Sequence, residues 1–383
     1  MVDVFRGAGG GGGADGGSAP TMLLAPMVRA SHLALRMIAL HWGAHAVFSE
    51  ELIAKKLLKV ERRDNAVMGT TDFVLASGGN HESLVFRTNA WERDRVVLQI
   101  GAADANEAVQ AASVFANDVA GVDLNMGCPQ HFSLSGGMGA ALLKKPELAA
   151  DIIRRLRTTL PASVTVSAKI RLLNDEASTV ALMQQLQAAG AQAITVHARQ
   201  VSERPRDKAR WNELRALVDC VNIPVLANGD VWHLADARRL VALSGASAVM
   251  TARGAMADPR LVFTGQPYAS LNAWVADYLN VAEVCGSTMA MDKWFIAQIC
   301  RNRTGERALA ERTAQVAQSK TKQDLRDVFG LAPFIVTANG AGDNLYSAEA
   351  WQARVASAMS TVADVAGDED AHEHKRAKRE MAL

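Results

Sequence analysis

This chain of 383 residues has little cysteine, almost no net charge and no long apolar run. Each shortage removes a class of protein. The four cysteines, Cys128, Cys220, Cys285 and Cys300, lack C-x-x-C spacing, so no zinc site, redox pair or disulfide framework is expected. The reading is a reduced, intracellular protein without a protein-bound metal. Lys and Arg total 41 against 40 Asp and Glu, so any basic surface for a polyanion must be local. No stretch approaches the roughly 18 uncharged apolar residues of a membrane helix, and no apolar core follows a basic start. Neither a membrane span nor a secretory signal is expected. No G-x-G-x-x-G follows a strand-like run, which argues against a Rossmann nicotinamide site. The Gly-rich stretch from Gly7 to Gly17 follows no strand and precedes no Gly-Lys-Ser/Thr, so residues 1–20 read as a disordered lead rather than a phosphate loop.

From Met22 onward a grammar repeats: a short apolar run, a polar or Gly/Pro break, then a segment with helical spacing. The runs go from Leu23 to Met27, Ala46 to Phe48, Val96 to Ile100, Val122 to Asn125, Val164 to Ile170, Ala193 to His197, Ile223 to Asn228 and Ala248 to Ala252. Between them, Asp104 and Glu107 have capping-box spacing, Pro146 marks a first helical turn, and Gly190 and Gly245 end helices. Eight such units predict an α/β protein, a closed (β/α)8 TIM barrel over residues 21–267. The second unit is longer, with two β-like runs around Gly78-Gly79-Asn80, and predicts an inserted hairpin at about 66–92. After Pro267 helical segments follow without strands: a small all-helical domain at 268–340, then a C-terminal helix and a charged, disordered tail at 341–383. From Asp292 to Asp327 eight basic residues face five acidic ones, an excess that solvated helix faces explain. The basic residues of the tail, Lys375, Arg376, Lys378 and Arg379, admit a nuclear address or an RNA contact.

In such a barrel the C-terminal strand tips line the active site. Here the tips supply Pro26, Met27, Glu50, Gln99, Asn125, Cys128, Lys169, Arg171, His197, Asn228, Gly229, Ala252 and Arg253. Cys128 follows a strand stopped by Gly127 and Pro129, so it is either a reactive thiol or a small buried cysteine beside a turn. Taken singly, His197 reads equally as a satisfied barrel histidine. Lys169 sits inside an apolar run and needs an anionic partner. Asn228-Gly229-Asp230 and Ala252-Arg253-Gly254 follow the seventh and eighth strands, where barrels frequently hold a phosphate. A flavin mononucleotide (FMN) fits that plan, its phosphate at those turns and its ring near Lys169, Gln99 and His197. A cysteine with an ordinary pKa of about 8.5 is protonated at neutral pH and can supply the proton that follows hydride addition to an activated C=C. Asn125, on the same strand tip, can read the polar edge of a planar base.

The runs Leu24-Ala25-Pro26-Met27-Val28-Arg29, Asn125-Met126-Gly127-Cys128-Pro129, Gly136-Gly137-Met138-Gly139-Ala140-Ala141-Leu142, Lys169-Ile170-Arg171, Val196-His197-Ala198-Arg199 and Ala227-Asn228-Gly229-Asp230 together resemble the tRNA-dihydrouridine synthase family. The resemblance extends from about Met22 to Leu331. Asn117-Asp118-Val119-Ala120-Gly121 and Ser49-Glu50-Glu51-Leu52-Ile53 look most like the eukaryotic branch acting on the D-loop uridine at tRNA position 20. It implies a flavoprotein oxidoreductase whose FMN is held by Pro26, Met27, Val28, Gln99, Lys169, His197, Asn228, Gly229, Asp230, Ala252 and Arg253. It further implies that NADPH, or NADH in its place, reduces the flavin, that hydride goes to C6 of uracil, and that Cys128 protonates C5.

The implied partner is tRNA and the expected compartment the cytoplasm, with no membrane contact and a monomeric chain. Asn125, Arg171, Arg199, Arg204 and Arg206 are the expected substrate contacts, the loop after the sixth strand positioning tRNA phosphates rather than reading bases. Two departures stand out. Ala198 replaces the family's usual Gly, a methyl that would crowd the flavin or the loop beside it. The segment after Leu331 is too short and too acidic to be the double-stranded-RNA-binding domain that animal members of this branch append, so tRNA is expected to rest on the barrel mouth and the helical domain. The competing readings are an FMN barrel acting on a free pyrimidine, as in the dihydroorotate dehydrogenases, and a non-catalytic tRNA-binding protein.

Overall fold

The computed structural model describes residues 1–6, 19–76, 82–303, 307–333 and 348–360. In chain order its strands are β1 (Met22–Leu24), β2 (Ala46–Phe48), β3 (Leu52–Ile53), β4 (Val60–Asn65), β5 (Thr70–Ala76), β6 (Glu82–Thr88), β7 (Val96–Gly101), β8 (Gly121–Asn125), β9 (Thr165–Leu172), β10 (Ala193–Gln200), β11 (Val225–Asn228) and β12 (Ala248–Thr251). β1, β2 and β7 to β12 pair in parallel, and Val47↔Val96 with Phe48↔Val97 joins β2 to β7, so the sheet closes on itself. The result is the expected (β/α)8 barrel. The returning helices start and stop where local chemistry dictates. The Asp104 side chain accepts from the Glu107 N–H at the head of Ala105–Phe115, Pro146 opens Pro146–Thr159, and Gly245 closes Leu234–Ser244 with φ 70°. Their apolar stripes, such as Ala108, Ala112 and Phe115 or Ile152 and Leu156, are buried in the main core cluster.

Alternate residues of each barrel strand turn inward. Leu23, Ala46, Phe48, Val97, Ala193, Leu226, Ala248 and Met250 form an inner apolar cluster that also takes in Phe5, whose ring stacks 6.3 Å from that of Phe48. The expected disordered lead is therefore ordered at its start, where Val2–Phe5 is a helical turn. Residues 7–18 lie outside the described residues. Nearer the C-terminal tips the interior turns polar. Gln99 Nε2 donates to Asp123 Oδ2 at 2.8 Å and Ser167 Oγ to Asp123 Oδ1 at 2.7 Å, all three side chains buried.

The long second unit carries an antiparallel sheet of β4, β5 and β6, one strand more than the expected hairpin. β4 reads Val-Glu-Arg-Arg-Asp-Asn and is mostly exposed, so it has no apolar alternation to betray it; its backbone pairs from Val60↔Leu75 to Asn65↔Thr70. The tip with Gly78-Gly79-Asn80 lies outside the described residues. Phe73 anchors this sheet by stacking 4.1 Å from Phe115. Arg36 on the helix Leu33–His41 makes a buried bidentate ion pair with Glu92, both bonds at 2.7 Å, and donates to Arg87 O as well.

Beyond the barrel run the helices Leu271–Val284, Met289–Arg303, Arg307–Gln318, Lys322–Val328 and Ala348–Ser360. Aromatic side chains dock them. Trp274 Nε1 donates to Met256 O at 3.1 Å, Trp351 Nε1 to Gly69 O at 2.8 Å, and the Tyr278 hydroxyl lies 3.2 Å from His32 Nε2. Four of the basic residues here hold the helices to one another: Lys293 on Ser319 O, Arg312 on Asn272, Lys322 on Glu283 and Arg326 on Asn280. No helix among the described residues is long and apolar enough to cross a membrane. Cys128, Cys220, Cys285 and Cys300 are all free thiols. The tail at 361–383 lies outside the described residues.

Asp123 gives the barrel a pH signature. Burial pushes its carboxyl up to about 6, although Gln99, Ser167 and the charge of Lys169 pull the other way. A raised carboxyl favours the folded state most at low pH, and that contribution is lost as pH rises through the folded pKa. Asp123→Asn removes the titration. The stability difference between wild type and this variant, from urea unfolding, is expected to shrink by up to about 3 kcal/mol between about pH 4 and pH 6. A difference that stays constant over that range would contradict it.

Candidate active site

β8 ends at Asn125, and its amide oxygen then accepts the backbone N–H groups of Gly127 at 2.9 Å and Cys128 at 3.1 Å. That local bond folds the chain into a turn and sets the half-buried Cys128 thiol on the barrel lip. Arg171 secures the turn from β9: its Nε donates to Gly127 O at 2.8 Å and its Nη1 to Gln200 O at 3.2 Å. Burial, followed by the charge of Glu51, pushes the Cys128 thiol up to about 11, well above an ordinary cysteine. It is a protonated thiol at neutral pH.

Lys169 pairs in register with Asn125 across β8 and β9. Burial, then the charge of Arg171, draws its ammonium down to about 8, with Asp123 opposing the shift. The ammonium makes no hydrogen bond to any described residue. Gln99, its amide tied to Asp123, is buried on β7. Pro26, Met27 and Val28 follow β1 in a turn in which Ser31 Oγ accepts from Met27 N and Glu50 Oε2 accepts from Arg29 N at 2.8 Å; Pro26 and Met27 are half-buried and Val28 is exposed.

The far side of the mouth is a pocket lined by Arg171, His197, Arg199, Arg204, Asn228, Gly229, Asp230, Ala252 and Arg253 from the expected set, together with Trp232, Glu203 and Pro205. Its centre is the turn after β11. Gly229 has φ 132°, a conformation open only to glycine at little cost, and Asp230 follows with φ 53°. The turn is held by Trp211 Nε1 on Gly229 O at 2.8 Å and by Asn228 Nδ2 on Met250 O at 2.8 Å. Asp230 accepts from Arg199 at 2.5 and 2.6 Å, from Arg253 at 2.8 Å and from Ala209 N at 2.8 Å. Burial alone would raise its carboxyl, but the Arg199 and Ala209 bonds and the two guanidinium charges prevail and hold it below the usual range. His197 lies far below the ordinary imidazole value, through burial first and then through Lys169, Arg171, Arg199 and Arg253. Arg199 can only donate, so His197 Nε2, at 3.3 Å, is its acceptor and the neutral ring keeps its proton on Nδ1.

The structure separates the arginines grouped together as substrate contacts. Arg199 is only 3% exposed and locked beneath the pocket by Asp230 and Asp207 O, so it is a strut for the turn rather than a surface cation. Arg171 is half-buried on the Cys128 turn. Arg204, Arg206 and Lys208 are exposed, while Arg210 pairs with Glu203 and Glu213. Ala198 lies in the outer core cluster, facing away from the mouth that its neighbour His197 lines, so its methyl does not crowd the pocket. Sequence reasoning missed Asp123, Ser167, Trp211 and Trp232. The first two share the inward phase of Asn125 and Lys169, a signal that was there to be read. Trp232, over which Arg253 stacks at 4.9 Å, carried no such signal.

Set against known proteins, the family profile described as Dihydrouridine synthase (Dus) matches residues 23–329. The chain is 33% identical over 315 residues to the tRNA-dihydrouridine(20) synthase (NAD(P)+) of Schizosaccharomyces pombe, an alignment covering 80% of this chain and 64% of that protein. It is 39% identical over 218 residues to the protein of the same name from Saccharomyces cerevisiae, covering 55% and 57%. It is 31% identical over 265 residues to the tRNA-dihydrouridine(20a/20b) synthase-like protein (NAD(P)+) of Homo sapiens, covering 69% and 76%. The match spans less than two thirds of the length of the two yeast relatives. The profile takes in every barrel strand and the helices up to Phe329, and the Cys128 turn, Lys169, His197 and the Asp230 turn all stand at one mouth within it. The chain belongs to the dihydrouridine synthase family.

Proposed function

We propose that this protein reduces the C5=C6 bond of a D-loop uridine in tRNA, at position 20, with a bound FMN as the hydride source and NADPH as the reductant. The observation that carries this reading is a single barrel mouth with a protonated thiol on one side and half-buried, incompletely matched cations on the other. The names of the yeast relatives support the position.

The residues fit an anionic, planar cofactor. Lys169 is a half-buried ammonium in want of an anion, and Arg253 sits half-buried at the glycine turn with its guanidinium over Trp232. Arg253 and the backbone of Gly229 and Ala252 would hold the phosphate, Lys169 and Gln99 the polar edge of the ring, and Pro26, Met27 and Val28 its wall. When bound and reduced, the flavin supplies hydride to C6 of the uracil. The chain's own residues do the rest. Asp123 fixes the Gln99 amide from below. His197, held neutral, packs at the pocket without adding charge. Arg199 and Asp230 keep the phosphate turn rigid. The Asn125 oxygen is committed to the Cys128 turn and its amide nitrogen lies against Glu51, which leaves one N–H for a uracil carbonyl. Cys128 gives its proton to C5.

The target uridine must leave the folded D-loop to reach this mouth. Arg204, Arg206 and Lys208 are the exposed cations on the loop after β10, and they would guide phosphates past it.

Two outcomes follow from these assignments. Cys128→Ala is expected to keep its flavin, seen in the visible spectrum, while dihydrouridine formation falls at least about a hundredfold; an apoprotein would contradict the division between acid and cofactor site. The Arg204→Ala, Arg206→Ala, Lys208→Ala triple variant is expected to weaken tRNA binding and lower its log–log salt slope by about 2 to 3, measured by filter binding. An unchanged slope would remove the loop from the tRNA surface.

A further inference from the structure

Glu51 has no part in the chemistry above, yet three elements converge on it at the thiol. It follows the tip of β2, is 7% exposed, and its Oε1 accepts from Ser133 Oγ at 2.9 Å. Ser133 is itself fully buried on His131–Ser135, the helical turn that follows Cys128. The Cys128 thiol and the Asn125 amide lie against the same carboxylate. Its other oxygen, Oε2, is buried with no hydrogen-bond partner among the described residues. Gly101, at the end of β7, leaves the space, since a Cβ there would stand 2.6 Å from Glu51 Oε1. A buried carboxyl with one oxygen unsatisfied costs stability and calls for a reason. The other charged groups that face the thiol are Lys169 and Arg171.

We propose that Glu51 is the group through which the Cys128 thiol is reprotonated after each turnover. This rests on Cys128 being the acid of the reaction proposed above. There the S–H bond of Cys128 breaks as the C5–H bond forms, leaving a thiolate beside Glu51. The Glu51 carboxylate then takes a proton from solvent water and passes it on: its new O–H bond breaks as the S–H bond re-forms, and Glu51 returns to the carboxylate. No electrons change hands. The transfer runs from oxygen to sulfur: burial raises the Glu51 carboxyl from its ordinary value, with Ser133, Cys128 and Asn125 partly offsetting it, and the thiol is pushed up to about 11. Oε2 is the oxygen free to carry the proton.

The test uses flavin-loaded Glu51→Gln, which still offers Ser133 an acceptor but has no acidic proton. The first readout needs neither tRNA nor turnover: the pH dependence of iodoacetamide alkylation at Cys128, followed by mass spectrometry of its peptide. With the neighbouring negative charge gone, the midpoint is expected to fall by about one pH unit. The second is product formation by the pre-reduced enzyme. A single turnover is expected within about twofold of wild type, because the thiol starts protonated, while steady-state turnover falls about tenfold or more. Gly101→Ala, which crowds Oε1 and leaves the acid in place, is expected to shift both readouts in the same direction by less. An unmoved alkylation midpoint, an unchanged steady-state rate, or single-turnover and steady-state rates that fall together would each overturn the proposal. Failure of the wild type to make dihydrouridine would instead overturn the reading on which it rests.

Discussion

Largely half-buried positive charge that its own carboxylates only partly match governs the mouth of this barrel. Lys169, Arg171, Arg199 and Arg253 all act on His197, against Asp123, Asp230 and a Glu203 that is shared with Arg210. Withdrawing ions from water costs several kcal/mol each unless partners replace the lost hydration. Asp230 answers part of that cost by holding two guanidiniums at once, and in doing so it fixes the left-handed turn at Gly229 and Asp230. Lys169 is left over. The proposed cofactor, carrying a phosphate and a polarisable ring edge, would complete this arrangement, where a neutral ligand would leave the ammonium unanswered.

The thiol side of the same mouth runs on the opposite sign. Glu51, Ser133 and Asn125 surround Cys128 with an acid, a hydroxyl and an amide, and burial keeps the sulfur protonated. In the proposed reaction, proton donation and anion binding would thus be kept apart, on β8 for the acid and on β9 to β12 for the cations. Arg171 joins the two halves mechanically, since one guanidinium grips both the Gly127 carbonyl and the end of β10. Displacing it would disturb the turn that aims the thiol without touching the acid itself.

Much of this was legible in the residues, because a closed barrel places every strand tip at one mouth once the strands are found. The eight apolar runs were enough for that, and Cys128, Lys169, His197 and the Asn228-Gly229-Asp230 turn fell into place together. Arg199 was misjudged as a rim cation because charged residues near a loop default to solvent; it lies two residues past His197 on β10 and therefore shares its inward phase. β4 was invisible because an exposed edge strand can be almost wholly polar. Phe5 and Glu51 were invisible for another reason: their partners, Phe48 and Ser133, lie far away in sequence, and no local periodicity records a contact made only by tertiary folding.

The central claim is that the cation-rich side of this mouth holds a flavin whose electrons go to tRNA. The most direct measurement is the visible spectrum of the purified protein under anaerobic conditions, first with NADPH and then with unmodified tRNA. The account predicts flavin absorption that bleaches with NADPH and returns when unmodified tRNA is added, and that does not return with a free pyrimidine. A colourless protein, or a reduced flavin that free pyrimidine reoxidises and tRNA does not, would contradict it.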